Sequence, residues 1–145
     1  MVTLPNLILA FVNATQETPL PESGDFDIET DLIEALTSFL TTCKVDLQFF
    51  YGDWASCPGL STYDLILTSE TIYEASNLPS LIKVLRMASN ENTETLVACK
   101  RLYFGLSGGE VVFRNLLLAE SAEVQDLGLV NKGVGRTILQ IKWAT

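Results

Sequence analysis

The stretch from Tyr63 to Tyr73, YDLILTSETIY, most constrains what this chain can fold into, because the apolar run Leu65, Ile66, Leu67 hands over abruptly to polar Thr68, Ser69 and Glu70. An apolar run of this length with polar flanks fits a buried strand whose last side chains emerge at the end of a sheet. In an open α/β sheet the ligand crevice lies outside the carboxyl ends of the strands, so Ser69, Glu70 and Tyr73 are expected to face it. Two other stretches have the same form. Val45 to Tyr51 is dense in β-branched and aromatic residues and ends in Gly52-Asp53-Trp54, and Glu94 to Tyr103 leads into the glycine-rich Lys100 to Gly109, KRLYFGLSGG.

Helical patterns separate these strands. Leu4, Leu7, Ile8 and Phe11 predict a helix from Thr3 to Thr15, with Thr3 at its start and Pro5 in the first turn. Glu17 to Gly24, with two prolines, reads as a loop. Ile28, Leu32, Leu36, Phe39 and Leu40 form one stripe of a second helix, from Asp27 to Cys43. Leu78, Leu81, Ile82 and Leu85 do the same for Asn77 to Ala88, with Asn77 at its start, and Glu110 to Ala119 is helical. Ala55 to Thr62 and Ser89 to Thr93 are loop and turn. The last two strands, Val124 to Val130 and Thr137 to Trp143, are joined by so short a glycine-rich link that they must run antiparallel. The reading is a single α/β domain.

Composition excludes several functions. A chain of 145 residues with 48% hydrophobic content can fill one core, and the absence of histidine removes catalytic triads, Cys-His pairs and His-ligated metals. A net charge of −9 argues against a nucleic-acid-binding face and suits a basic protein partner. Cys43, Cys57 and Cys99 lack C-x-x-C spacing, which predicts buried or partly buried free thiols in a reducing compartment and no zinc site. Leu4 to Val12 is too short to span a bilayer and no basic region precedes it, so a soluble, intracellular protein is expected. The sequon Asn13-Ala14-Thr15 would then go unused.

The polar ends of the strands suggest site chemistry. Asp53 can accept a hydrogen bond from an exocyclic amine and Trp54 offers a flat apolar face, as an adenine site requires. The same residues also fit a strand-end turn with a packed tryptophan. Glu70 and Tyr73 supply an acceptor and an aromatic wall, or alternatively a helix-entry charge and ordinary packing. Lys100, Tyr103 and Phe104 place a cation and two aromatics on a loop that could close over a peptide, or simply lead into a helix.

Taken together, Gly52-Asp53-Trp54, YDLILTSETIY and KRLYFGLSGG resemble the S-adenosylmethionine-dependent protein-histidine methyltransferases, and the resemblance runs from Val2-Thr3-Leu4-Pro5-Asn6 to the C-terminus. It implies a Rossmann-like class I methyltransferase sheet ending in an antiparallel hairpin. It also implies S-adenosyl-L-methionine as methyl donor, with Asp53, Trp54 and Ser69 at the cofactor, Glu70 and Tyr73 as catalytic residues, and Lys100, Tyr103 and Phe104 toward the substrate. The implied substrate is a histidine of a protein, specifically a basic large-subunit ribosomal protein, in cytoplasm or nucleus, with neither nucleic acid nor membrane as direct partner. The family's opening two strands and Gly-rich cofactor loop have no counterpart in these 145 residues, so the chain is expected to correspond to the C-terminal half of such a domain and to be unstable and inactive alone. A related lysine methyltransferase and a non-catalytic interaction domain are the alternatives.

Overall fold

The computed structural model describes residues 3–15, 27–57, 59–130 and 135–144, and the chain divides into two compact units, 1–50 and 51–145. The first contains α1 (Thr3–Thr15) and α2 (Thr30–Cys43). Their stripes meet in a small core of Ile8, Val12 and Leu36, and Phe11 lies 5.2 Å from Phe39, centroid to centroid. Lys44 ends α2 in the left-handed conformation, its N–H returning to the Leu40 and Thr41 carbonyls. The loop expected at Glu17 to Gly24 falls outside the described residues.

The second unit holds β1 (Leu65–Ser69), α3 (Leu78–Met87), β2 (Glu94–Lys100), α4 (Glu110–Ala119), β3 (Ala122–Val130) and β4 (Arg136–Trp143). They form one sheet of order β1-β2-β4-β3, in which β1 and β2 are parallel and the other pairs antiparallel. Only a crossover can return the chain for a parallel pairing, and α3 provides it. The terminal hairpin forms as expected, with a bulge between Asp126 and Gly128.

Strand alternation sorts the side chains onto two faces. Thr95, Val97 and Cys99 of β2 and Thr137, Leu139 and Ile141 of β4 point into the core, where they meet Leu78, Leu81, Ile82 and Leu85 of α3 and Phe113 and Leu117 of α4. Leu67, Leu96, Ala98 and Ile138 lie on the opposite face, where Leu67 is 67% exposed. β1 is an edge strand among the described residues.

The segment from Val45 to Tyr51 is not a strand. Its residues are exposed and in no regular structure, because β-propensity alone cannot hold a strand without a neighbour to complete its ladder, and none of the four described strands pairs with it. β2 stops at Lys100 rather than Tyr103, where the Tyr103 hydroxyl takes the Lys100 N–H at 3.2 Å. The entry to α3 is a short 3₁₀ turn, Ala75–Asn77, capped by Glu74, whereas Asn77 makes no capping bond. All three cysteines are free, and Cys43 is exposed, contrary to the burial expected of it, because it occupies the last turn of α2, beyond Leu40, where the small α1–α2 core ends. No described helix is long and apolar enough to cross a membrane.

Candidate active site at the strand ends

Glu70 follows directly on β1 and turns the chain out of the sheet with φ of 55°. Its N–H still bonds the Ala98 carbonyl at 2.9 Å, so the residue is anchored while its side chain leaves the strand direction. The carboxylate lies 3.5 Å from Lys100 Nζ at the end of β2 and 4.0 Å from Arg136 Nε at the start of β4. Thr68 and Thr71 hydroxyls, 2.7 Å apart, brace the turn beneath it.

Ile72, fully buried, then plugs the core, and Tyr73 emerges half-exposed with its ring 6.5 Å from that of Tyr103. Lys100 Nζ lies 5.6 Å over the Tyr103 ring, a cation–π contact. Burial, with the nearby Glu70 charge as a lesser cause, pushes the Tyr103 phenol up to about 12 despite the opposing Lys100 hydrogen bond. Tyr103 therefore stays neutral and serves as a wall and hydrogen-bonding group.

The loop after β2 is fastened to the loop after β1. Gly108 donates its N–H to the Tyr73 carbonyl at 3.0 Å, Ser107 Oγ accepts the Ala75 N–H at 3.1 Å, and the Ser107 hydroxyl donates to Glu74 at 2.5 Å. That last bond is the leading reason the Glu74 carboxyl titrates below its ordinary range. A side chain at Gly108 would strike the backbone of Ile72, Tyr73 and Glu74, so the two loops meet main chain to main chain. The loop expected to be mobile is thus pinned at residues 107 and 108. Its tip carries Phe104, 80% exposed, and Gly105 in the left-handed region.

A second ionic network supports this arrangement. Glu110, in the first turn of α4, lies 3.3 Å from Arg101 Nε and 2.9 Å from Arg114 Nε, and Arg114 reaches Asp126 at 2.7 Å. Asp126 also accepts the Thr137 hydroxyl at 2.9 Å. A carboxylate at a helix N-terminus is favoured by the helix dipole, and this one ties the β2–α4 loop to the hairpin.

The structure gathers Glu70, Tyr73, Lys100 and Tyr103 into one cluster, with Ser69 at the end of β1 beside it. Asp53 and Trp54 occupy a separate turn: Asp53 Oδ1 accepts the Ala55 N–H at 3.0 Å, and Trp54 packs partly buried against the main core. Sequence reasoning missed Arg136, whose only signal was a cation where β4 begins, and the Ser107–Glu74 fastening, which links positions with no periodicity between them. An open cavity of about 300 Å³ lies on the sheet face, lined by Leu67, Thr68, Ser69, Leu96, Ala98 and Ile138. Its floor is apolar, and Thr68 and Ser69 bring hydroxyl-bearing residues to it. A larger groove of about 620 Å³ lies on the helix layer, between α3 and α4, but the converging polar groups are at the strand ends.

This sheet order, with parallel strands leading into an antiparallel hairpin and a polar cluster at the carboxyl ends, defines the C-terminal part of a Rossmann-like methyltransferase fold. The crystal structure of the PH0226 protein from Pyrococcus horikoshii OT3 shares the architecture, with a TM-score of 0.51 and 12% identity over 81% of this chain and 69% of that one. Residues 31–114 match the family model described as Lysine methyltransferase, and the chain belongs to this methyltransferase family. It is similar to Histidine protein methyltransferase 1 of Schizosaccharomyces pombe, 32% identical over 151 residues, covering 95% of this chain and 44% of that protein. The Bos taurus homolog is 28% identical over 149 residues, covering 97% of this chain and 38% of the relative. The chain therefore spans less than half the length of these curated relatives.

Proposed function

We propose that this chain forms part of the catalytic domain of an enzyme that transfers a methyl group from S-adenosylmethionine to a histidine side chain of a protein. The observation that carries the reading is the Glu70 carboxylate at the strand end, beside the Tyr73–Tyr103 aromatic pair. Methyl transfer needs two reactants held in line more than it needs a strong base. The cofactor, when bound, supplies an electrophilic methyl group.

Glu70 accepts a hydrogen bond from the imidazole N–H, which fixes the tautomer and leaves the lone pair of the other nitrogen free to attack. That lone pair would take up the methyl group that a bound donor supplies, the electron pair of the broken bond remaining with the donor's sulfur, and the imidazolium would then shed the N–H proton to water. While the imidazolium exists, Glu70 stabilises its charge and the Tyr73 and Tyr103 faces flank it. On the donor side, Ser69 borders the apolar cavity, and Asp53 and Trp54 are assigned to the adenine. Lys100 and the exposed Phe104 border the path of the incoming peptide.

The substrate we assign is a basic large-subunit ribosomal protein, met in cytoplasm and nucleus; the chain's net charge of −9 supports a basic partner. The matched family's own description favours lysine as a second reading. To test both, the full chain is fused behind the N-terminal part of the S. pombe relative that it does not match, and offered otherwise identical peptides containing histidine or lysine. Methylation of the histidine peptide is expected. Methylation of lysine alone selects the second reading, and methylation of neither removes both.

A further inference from the structure

We infer that Arg136 is a positioning residue that acts through Glu70. Lys100 and Arg136 are direct partners in the antiparallel β2–β4 register. Like charges facing each other across a ladder are destabilising, so this pairing calls for an anion between them. Glu70 fills that role: its Oε2 lies 3.5 Å from Lys100 Nζ and its Oε1 lies 4.0 Å from Arg136 Nε.

The contact lies at the surface, Arg136 being 56% and Glu70 41% exposed, and two further features give it the character of a clamp. Glu70 holds a left-handed φ of 55°, a conformation unfavourable for a residue with a Cβ, and this turn brings its carboxylate over the ends of two other strands. Lys100 is shared with the Tyr103 ring, so Arg136 is the cation that fixes the second oxygen. Both separations exceed the 2.7–2.9 Å of a tight charge-assisted bond. A carboxylate has roughly four lone-pair sites, so the clamp orients Glu70 and leaves acceptor capacity for an incoming N–H.

The functional consequence rests on the role proposed above for Glu70. With Arg136 gone, the carboxylate swings about Lys100 and presents the wrong lone pair to the substrate ring. Turnover then falls while peptide affinity, set by the loop and aromatic walls, is kept.

The test uses the same fusion with Glu70→Gln, Arg136→Gln, Arg136→Lys and the double variant. Arg136→Gln should lower kcat about tenfold with KM changed less than about twofold, and Arg136→Lys should restore about half of the loss. On a Glu70→Gln background, Arg136→Gln should change kcat by less than about twofold, since its route of action is already gone. Multiplying losses, or a change confined to KM, overturns the inference. A second readout needs no activity. Glu70→Gln leaves two cations face to face and should lower the melting temperature by about 1–2 °C, and adding Arg136→Gln should recover about half of that. A fusion without turnover that shows this recovery loses the functional reading but keeps the clamp, whereas additive melting shifts remove the clamp.

Discussion

Replacing Gly108 by alanine should separate the two loops that build the site. An added Cβ would sit 2.5 Å from the Tyr73 carbonyl carbon and 2.6 Å from the Glu74 nitrogen, against the 3.4 Å at which ordinary contact begins. Backbone cannot rotate aside as a side-chain tip can, and the Ile72 carbonyl oxygen lies nearer still, so the loops must part by more than about 0.9 Å. That movement breaks the 3.0 Å bond from Gly108 N–H to the Tyr73 carbonyl and strains the 3.1 Å bond from Ala75 to Ser107. Overpacking costs about 1–3 kcal/mol and a lost hydrogen bond about 1 kcal/mol, so a loss of about 2–4 kcal/mol is expected. In urea unfolding of the fusion, with a slope of about 2 kcal/mol/M, the midpoint should fall by about 1–2 M. Gly59 has open space around it, so Gly59→Ala serves as the control and should stay within about 1 kcal/mol of the parent. A Gly108→Ala midpoint matching that of Gly59→Ala would show that the loops do not meet as described.

Further predictions concern the site and the core. Trp54→Ala should weaken cofactor binding by about 1–3 kcal/mol in calorimetry; unchanged affinity with intact folding would take Trp54 out of the adenine site. Glu70→Gln and Tyr73→Phe should lower turnover at saturating substrate more than they weaken cofactor binding, and the opposite pattern would reverse the assigned sides. Phe113 is fully buried between α4 and the sheet, so Phe113→Ala should cost about 3–5 kcal/mol in urea unfolding. Because the folded state raises the Tyr103 phenol from 10 to about 12, the unfolded chain ionises there first, and stability should decline as pH rises between those values. Tyr103→Phe should make that decline shallower in pH-dependent melting, and an unchanged slope would deny the burial of this hydroxyl.

What the sequence determined by itself is what rests on local periodicity and on chemistry carried within one segment. The α3 stripe of Leu78, Leu81, Ile82 and Leu85 is buried as its spacing requires, since a helix presents those positions on one side wherever it packs. The Leu65 to Ser69 strand and the closing hairpin were equally legible, and so was the delivery of Glu70 and Tyr73 at a strand end. Tertiary structure decided what depends on partners distant in the chain. Val45 to Tyr51 has strand composition yet belongs to no strand among the described residues, because a strand exists only by virtue of its neighbour. The glycine-rich loop is pinned because Ser107 and Gly108 find main chain 32 to 36 positions away. Arg136 meets Glu70 across 66 positions only after β2 and β4 bring Lys100 opposite it. Such meetings arise from the order of strands in the sheet, and no local pattern of residues encodes that order.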